Sequence, residues 1–152
     1  MKVLGSRELL ADVLGARVYP NAHKEIGWFP VQRTAASAAS PLFSTLPAEF
    51  TAFHWHGDTF DLPPGAVHLA RSEACAHQAF AYRTALALQF HVESTPESVV
   101  ALISNCGHDL APGRYVQPPE RIMSADVFGP LGQTLFHILD RFAESKPSDL
   151  QE

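Results

Sequence analysis

Short apolar runs alternate along the chain with stretches dense in turn-forming residues, and the spacing of the apolar positions shifts from helical to strand-like and back. Near the N-terminus Leu4, Leu9, Leu10, Val13 and Leu14 recur at helical spacing. Ser6 can cap the start and Gly15 the end, so a helix of about two turns is expected over residues 4–14. Ala16 to Pro20 then reads as a short strand, Asn21 to Lys24 as a turn, and Glu25 to Gln32 as the second strand of a hairpin-like pair. Thr34 to Ser40 is small and polar, hence a loop or a frayed helical turn. Pro41 to Pro47 reads as a short helix that Pro47 cannot continue. Alternation predicts further strands at 49–56, ending at Gly57-Asp58, at 67–72 and at 78–82. Thr59 to Gly65, with Pro63-Pro64-Gly65, forms a turn-rich connection.

The run Leu86-Ala87-Leu88-Gln89-Phe90 is compact and apolar, and it delivers His91 and Glu93 at its end. Side chains two apart on a strand share a face, so a carboxylate there can orient an imidazole that acts as base. Thr95 caps a helix begun by Pro96 and carried through Ile103, with Gly107 as its stop. A last helix is expected over 119–142. Leu131, Leu135, Ile138, Leu139 and Phe142 keep its period, and Gly129-Pro130 interrupts it. Lys146 to Glu152 reads as a polar, disordered tail, which leaves one domain over residues 1–144 and a tail over 145–152.

A chain of 152 residues with 46% hydrophobic positions can bury a sizeable core in a single domain. The net charge of −5 excludes the basic stripe that nucleic-acid binding needs. No apolar run approaches the roughly 18 residues of a membrane span. The start Met1-Lys2-Val3-Leu4-Gly5 has no signal-peptide core, so a cytoplasmic location is expected. Cys75 and Cys106 lie far apart with no second cysteine near either, which points to buried thiols rather than a metal or redox pair. Eight histidines invite a metal hypothesis. His54-Trp55-His56 with Asp58 is the densest cluster, and His91 could join His54 and His56. No ligand signature accompanies them, so neither metal nor other cofactor is expected.

Five segments narrow the reading: Leu9-Leu10-Ala11-Asp12-Val13-Leu14-Gly15-Ala16-Arg17-Val18-Tyr19-Pro20, Lys24-Glu25-Ile26-Gly27-Trp28, His54-Trp55-His56-Gly57-Asp58-Thr59-Phe60, Ser72 to Phe80 with Cys75, and Gln89-Phe90-His91-Val92-Glu93. In order and spacing they resemble the C-terminal half of class I glutamine amidotransferases, nearest to stand-alone proteins similar to the glutaminase domain of GMP synthase. The resemblance implies an α/β fold, an incomplete flavodoxin-like three-layer domain lacking its N-terminal strands. It implies glutamine as substrate, hydrolysed to glutamate and ammonia by a Cys-His-Glu triad through a thioester. Residue by residue, His91 falls on the general base and Glu93 on the carboxylate that orients it. His56, Gly57 and Asp58 fall on the segment beside the glutamine pocket.

The family's nucleophile stands in a Gly-x-Cys-x-Gly turn directly before the helix that matches Leu9 to Leu14. Met1 to Glu8 contains no cysteine there. Hydrolysis by this chain alone is therefore not expected, and the missing N-terminal half would come from elsewhere. The alternative is a non-catalytic assembly module: sheet edges left uncovered pair with another chain, which predicts a homo-oligomer.

Overall fold

The computed structural model describes residues 7–144. In chain order they form α1 (Arg7–Val13), β1 (Val18–Arg33), a 3-10 turn (Ala35–Ala39), β2 (Glu49–Phe60), β3 (Val67–Arg71), β4 (Ala79–Tyr82), β5 (Ala85–Leu88), α2 (Pro96–Cys106), a second 3-10 turn (Gly107–Asp109), α3 (Pro119–Met123) and α4 (Phe128–Glu144). The Ser6 cap and the polar tail from Lys146 lie outside the described residues.

One sheet holds all five strands in the order β2-β1-β3-β4-β5, and every neighbouring pair is antiparallel. β1 runs beside β2 from Val18 opposite Phe60 to Gln32 opposite Glu49. Only Gln32 and Arg33, at its far end, reach β3. The sheet therefore curls. Beyond β5 the chain bends through Gln89 and Phe90, and His91 then bridges to Phe53 on β2. The far ends of the strand order are thus joined by one residue pair. This curled antiparallel sheet with its helices is a mixed α/β arrangement, consistent with part of a flavodoxin-like domain.

Local differences from the sequence reading have physical causes. The expected turn at Asn21 to Lys24 is absorbed into β1 as an irregularity between Pro20 and Glu25. There Asn21 Nδ2 donates to the carbonyls of Ala74 at 2.8 Å and His23 at 3.0 Å, so its side chain ties the bulge down instead of closing a turn. The two expected strands are consequently one, with no hairpin between them. β2 does not stop at Gly57-Asp58, because Asp58 still pairs with Pro20 and Phe60 with Val18. The segment after Pro41 is a series of turns rather than a helix. Near the C-terminus the break falls at 124–127, ahead of Gly129-Pro130. Pro130 is the third residue of α4, where a backbone N–H would have no intrahelical partner, so its ring costs the helix nothing.

The main core contains Val31, Phe43, Phe53, Leu69, Phe90, Val99, Ile122, Leu131 and Ile138, and lies between the sheet and helices α2 to α4. A smaller cluster of Ala11, Ala16, Phe60, Phe80 and Ala87 seats α1. Each fully buried phenylalanine contributes about 1.5–3 kcal/mol from water exclusion. Trp28 fixes the C-terminal helices to β1: its Nε1 donates to the Ile122 carbonyl at 2.9 Å, and its ring meets Phe128 edge-on at 5.1 Å. α2 begins with a full capping box, in which Thr95 and Ser98 satisfy each other's backbone N–H.

Candidate functional site

His91 is positioned through its main chain. Its N–H donates to the Phe53 carbonyl at 2.7 Å, and its carbonyl accepts from the Phe53 N–H at 3.2 Å. Phe90 before it and Val92 after it are both buried, so the histidine is held between two anchors. The chain bends at Val92 and Glu93, yet the pair expected on a strand face still forms. His91 Nδ1 lies 2.6 Å from Glu93 Oε1, while Glu93 Oε2 accepts from the Val92 N–H at 3.0 Å. A carboxylate can only accept, so Nδ1 carries the proton in this contact and, whenever the ring is neutral, the lone pair is on Nε2. The His91 side chain is 27% exposed and that of Glu93 59%, so the pair lies at the surface rather than in the core. The Glu93 carboxyl titrates below its ordinary value. Burial acts upward, but the bond and charge of His91 and the backbone N–H groups act downward and prevail.

His56, Gly57 and Asp58 lie on β2. Their segment is tied to the His91 strand by Gln89, whose Nε2 donates to the Asp58 carbonyl at 2.7 Å. Gly57 leaves room for the Lys24 stem, since a Cβ there would sit 3.2 Å from Lys24 Cγ. The Lys24 ammonium reaches Asp109 at 2.7 Å. Asp58 is exposed, whereas the His56 side chain turns inward.

Behind that segment is a buried polar cluster. Glu25 Oε2 lies 3.3 Å from His54 Nδ1 and 3.2 Å from His56 Nε2, and none of the three side chains is more than 2% exposed. The same oxygen accepts from Gln78 Nε2 at 2.6 Å and Ser72 Oγ at 2.9 Å. Burial pushes the His54 pKa down despite the opposing carboxylate. Of the residues once grouped for a metal, His54 and His56 do come together, whereas Asp58 is exposed and His91 is engaged with Glu93. Glu25 takes the remaining place. Its signal was a carboxylate inside the strand pattern Glu25-Ile26-Gly27-Trp28, one that burial requires to be paired. Gln78 and Gln89, both fully buried, were likewise legible only as polar residues flanking apolar strands.

Cys75 is buried, with its thiol 3.3 Å from Thr59 Oγ1, and Cys106 is half-buried at the end of α2. Among the described residues no helix is long and apolar enough to cross a membrane.

Fold and site together define an α/β domain that presents a carboxylate-oriented histidine where its curled sheet closes. The description "Glutamine amidotransferase class-I" matches residues 4–109, and the chain belongs to that family. It is 38% identical over 109 residues to the glutamine amidotransferase-like protein YfeJ of Salmonella typhimurium, an alignment covering 71% of this chain and 45% of that protein. To the glutamine-hydrolysing GMP synthase of Thermomicrobium roseum it is 44% identical over 87 residues, covering 57% of this chain and 16% of that protein. The crystal structure of a glutamine amidotransferase from Methylobacillus flagellatus superposes with a TM-score of 0.82 at 31% identity, covering 96% of this chain and 61% of the other. The chain thus spans less than half the length of the curated relatives it matches and about three-fifths of the solved structure.

Proposed function

We propose that this chain supplies the base-bearing half of a glutamine-hydrolysing site. In this reading His91 is the general base, Glu93 orients it, and His56, Gly57 and Asp58 line the glutamine pocket. The nucleophilic cysteine comes from a Gly-x-Cys-x-Gly turn that this sequence does not contain, so the chain alone does not hydrolyse glutamine. The observation that carries the proposal is the 2.6 Å contact between His91 Nδ1 and Glu93 Oε1, which leaves Nε2 able to take a proton from a thiol. A cysteine beside such an imidazole is held as thiolate and can attack the side-chain amide of glutamine. The carbonyl carbon then passes to sulfur, and ammonia leaves with a proton returned from the imidazolium. Water attacks the thioester, with the imidazole again as base, and releases glutamate.

The test is ammonia release from glutamine, measured on the chain alone and on a fusion to the N-terminal half of a family member that carries the Gly-x-Cys-x-Gly turn. The chain alone should release none above buffer. The fusion should release ammonia, and His91→Ala within it should lower kcat by about 10²–10⁴-fold. Ammonia production by the unfused chain, or a fusion indifferent to His91→Ala, would overturn the proposal.

A further inference from the structure

In sequence His54 and His56 stand close together without a ligand signature, and the folded chain adds Glu25 to them. We propose that Glu25, His54 and His56 form a buried site for a divalent transition-metal ion of the zinc type, separate from the His91/Glu93 pair.

The ladder between β1 and β2 builds it. Glu25 is directly opposite His56, and His54 lies two residues along the same strand, opposite Gly27. Side chains two apart share a face, so both imidazoles meet the one carboxylate. One ring nitrogen of each histidine and one carboxylate oxygen all lie within 4.8 Å of one another. A tetrahedral zinc with bonds of about 2.0–2.2 Å places adjacent ligand atoms roughly 3.3–3.5 Å apart. The two N···O separations of 3.3 and 3.2 Å match that edge.

The hydrogen bonding supplies an independent reason. His54 is fully buried, yet neither of its ring nitrogens has a hydrogen-bond partner. Leaving such a group unmatched costs about 1–3 kcal/mol. A cation seated between Nδ1 and Glu25 would remove one of the two deficits. Glu25 itself is a buried carboxylate, and the two imidazoles lie against it at 3.3 and 3.2 Å. Two neutral histidines and one carboxylate compose the nitrogen and oxygen donor set zinc accepts. Ser72 Oγ and Gln78 Nε2, already donating to the ligating oxygen, would be the outer hydrogen bonds that hold a metal-bound carboxylate in place. Because the three ligands are closed off from solvent, the ion would enter as the chain folds and would leave only on unfolding.

The experiment is made on the untagged chain, grown in zinc-supplemented medium and passed through gel filtration, with metal measured by mass spectrometry. About one zinc per chain is expected. Glu25→Gln and His54→Gln, checked for folding by circular dichroism, should each lose most of it. Refolding the unmodified chain with Co²⁺ should give the visible bands of a tetrahedral ion, and X-ray absorption should show nitrogen and oxygen neighbours without sulfur. These two readouts need no variant to fold. Zinc and cobalt both absent from the refolded chain would overturn the proposal. Full zinc occupancy in folded variants, or sulfur in the absorption spectrum, would overturn it as well.

Discussion

His91 and Phe53 exchange both of their main-chain hydrogen bonds, at 2.7 and 3.2 Å, and this single pair closes the curled sheet on itself. The candidate base is therefore fixed to a core strand rather than carried on a loop. Its anchor is Phe90, which is 1% exposed and packs edge-on against Phe50 with ring centroids 5.6 Å apart. Phe90→Ala should lower unfolding free energy by about 3–5 kcal/mol. It should also accelerate amide exchange at His91 and Phe53 more than at the β1–β2 ladder. Denaturant melts and hydrogen exchange followed by NMR check both parts; equal acceleration throughout would show that the closure is not a local unit.

Glu93 gives a pH dependence whose sign is fixed by its neighbours. Its carboxyl titrates below the ordinary value, because His91 and the backbone N–H groups outweigh burial. A depressed carboxylate stabilises the fold above the unfolded-chain pKa of about 4.3, and that contribution disappears as pH falls through the lower folded value. Nothing from this source changes between neutral and mildly alkaline pH. Carbon-detected NMR titration should place the Glu93 midpoint below the unfolded-chain value of about 4.3. His91→Phe should move it upward. An unmoved midpoint in that variant would mean that the backbone, not the imidazole, sets the shift.

Much of this architecture could be read from the chain. The start of β2 followed from alternation, β5 from a compact apolar run, α2 from Thr95 and Pro96, and the His91/Glu93 pair from a two-residue spacing that survives even though the backbone bends there. What stayed hidden depends on residues distant in sequence. Asn21 reaches Ala74, so a stretch that reads as a turn becomes a bulge inside a long strand. His54 and His56 acquire Glu25 only because β1 and β2 pair in one particular register. The inward orientation of His56 likewise depends on Glu25 and Gln78, neither adjacent to it in the chain. Local pattern carries element type, and strand register decides which polar groups meet.

Gln89 joins the two segments that the proposed function draws on. It is fully buried and donates to the Asp58 carbonyl at 2.7 Å. Gln89→Leu keeps much of the volume but removes that donor, so about 1–3 kcal/mol of stability should be lost. Urea unfolding gives the magnitude. In the fusion proposed above, the same variant should raise KM for glutamine more than it lowers kcat, because the segment proposed to line the pocket shifts while the His91/Glu93 contact is kept. A fall in kcat at constant KM would place the effect of Gln89 on His91 instead.

Gly27 and Gly15 separate backbone strain from steric collision. Both have positive φ, +121° and +81°, where a side chain is strained. A Cβ at Gly15 meets nothing within 4 Å, so Gly15→Ala should cost only the conformational penalty, about 1–2 kcal/mol. At Gly27 the added carbon would lie 2.5 Å from Gln117 Oε1 and 2.9 Å from its Cβ, so the glutamine cannot remain where it is. That side chain accepts from the Trp28 N–H and donates to the Trp28 carbonyl, each at 2.9 Å. Displacing it removes two buried hydrogen bonds worth about 0.5–1.5 kcal/mol apiece, in addition to the strain. Gly27→Ala should therefore be the more damaging by about 1–3 kcal/mol in parallel denaturant titrations. In a Gln117→Gly background the collision and both hydrogen bonds are already gone, so the two glycine substitutions should cost nearly the same. A persistent excess at Gly27 in that background would assign the penalty to the backbone conformation of β1 rather than to Gln117.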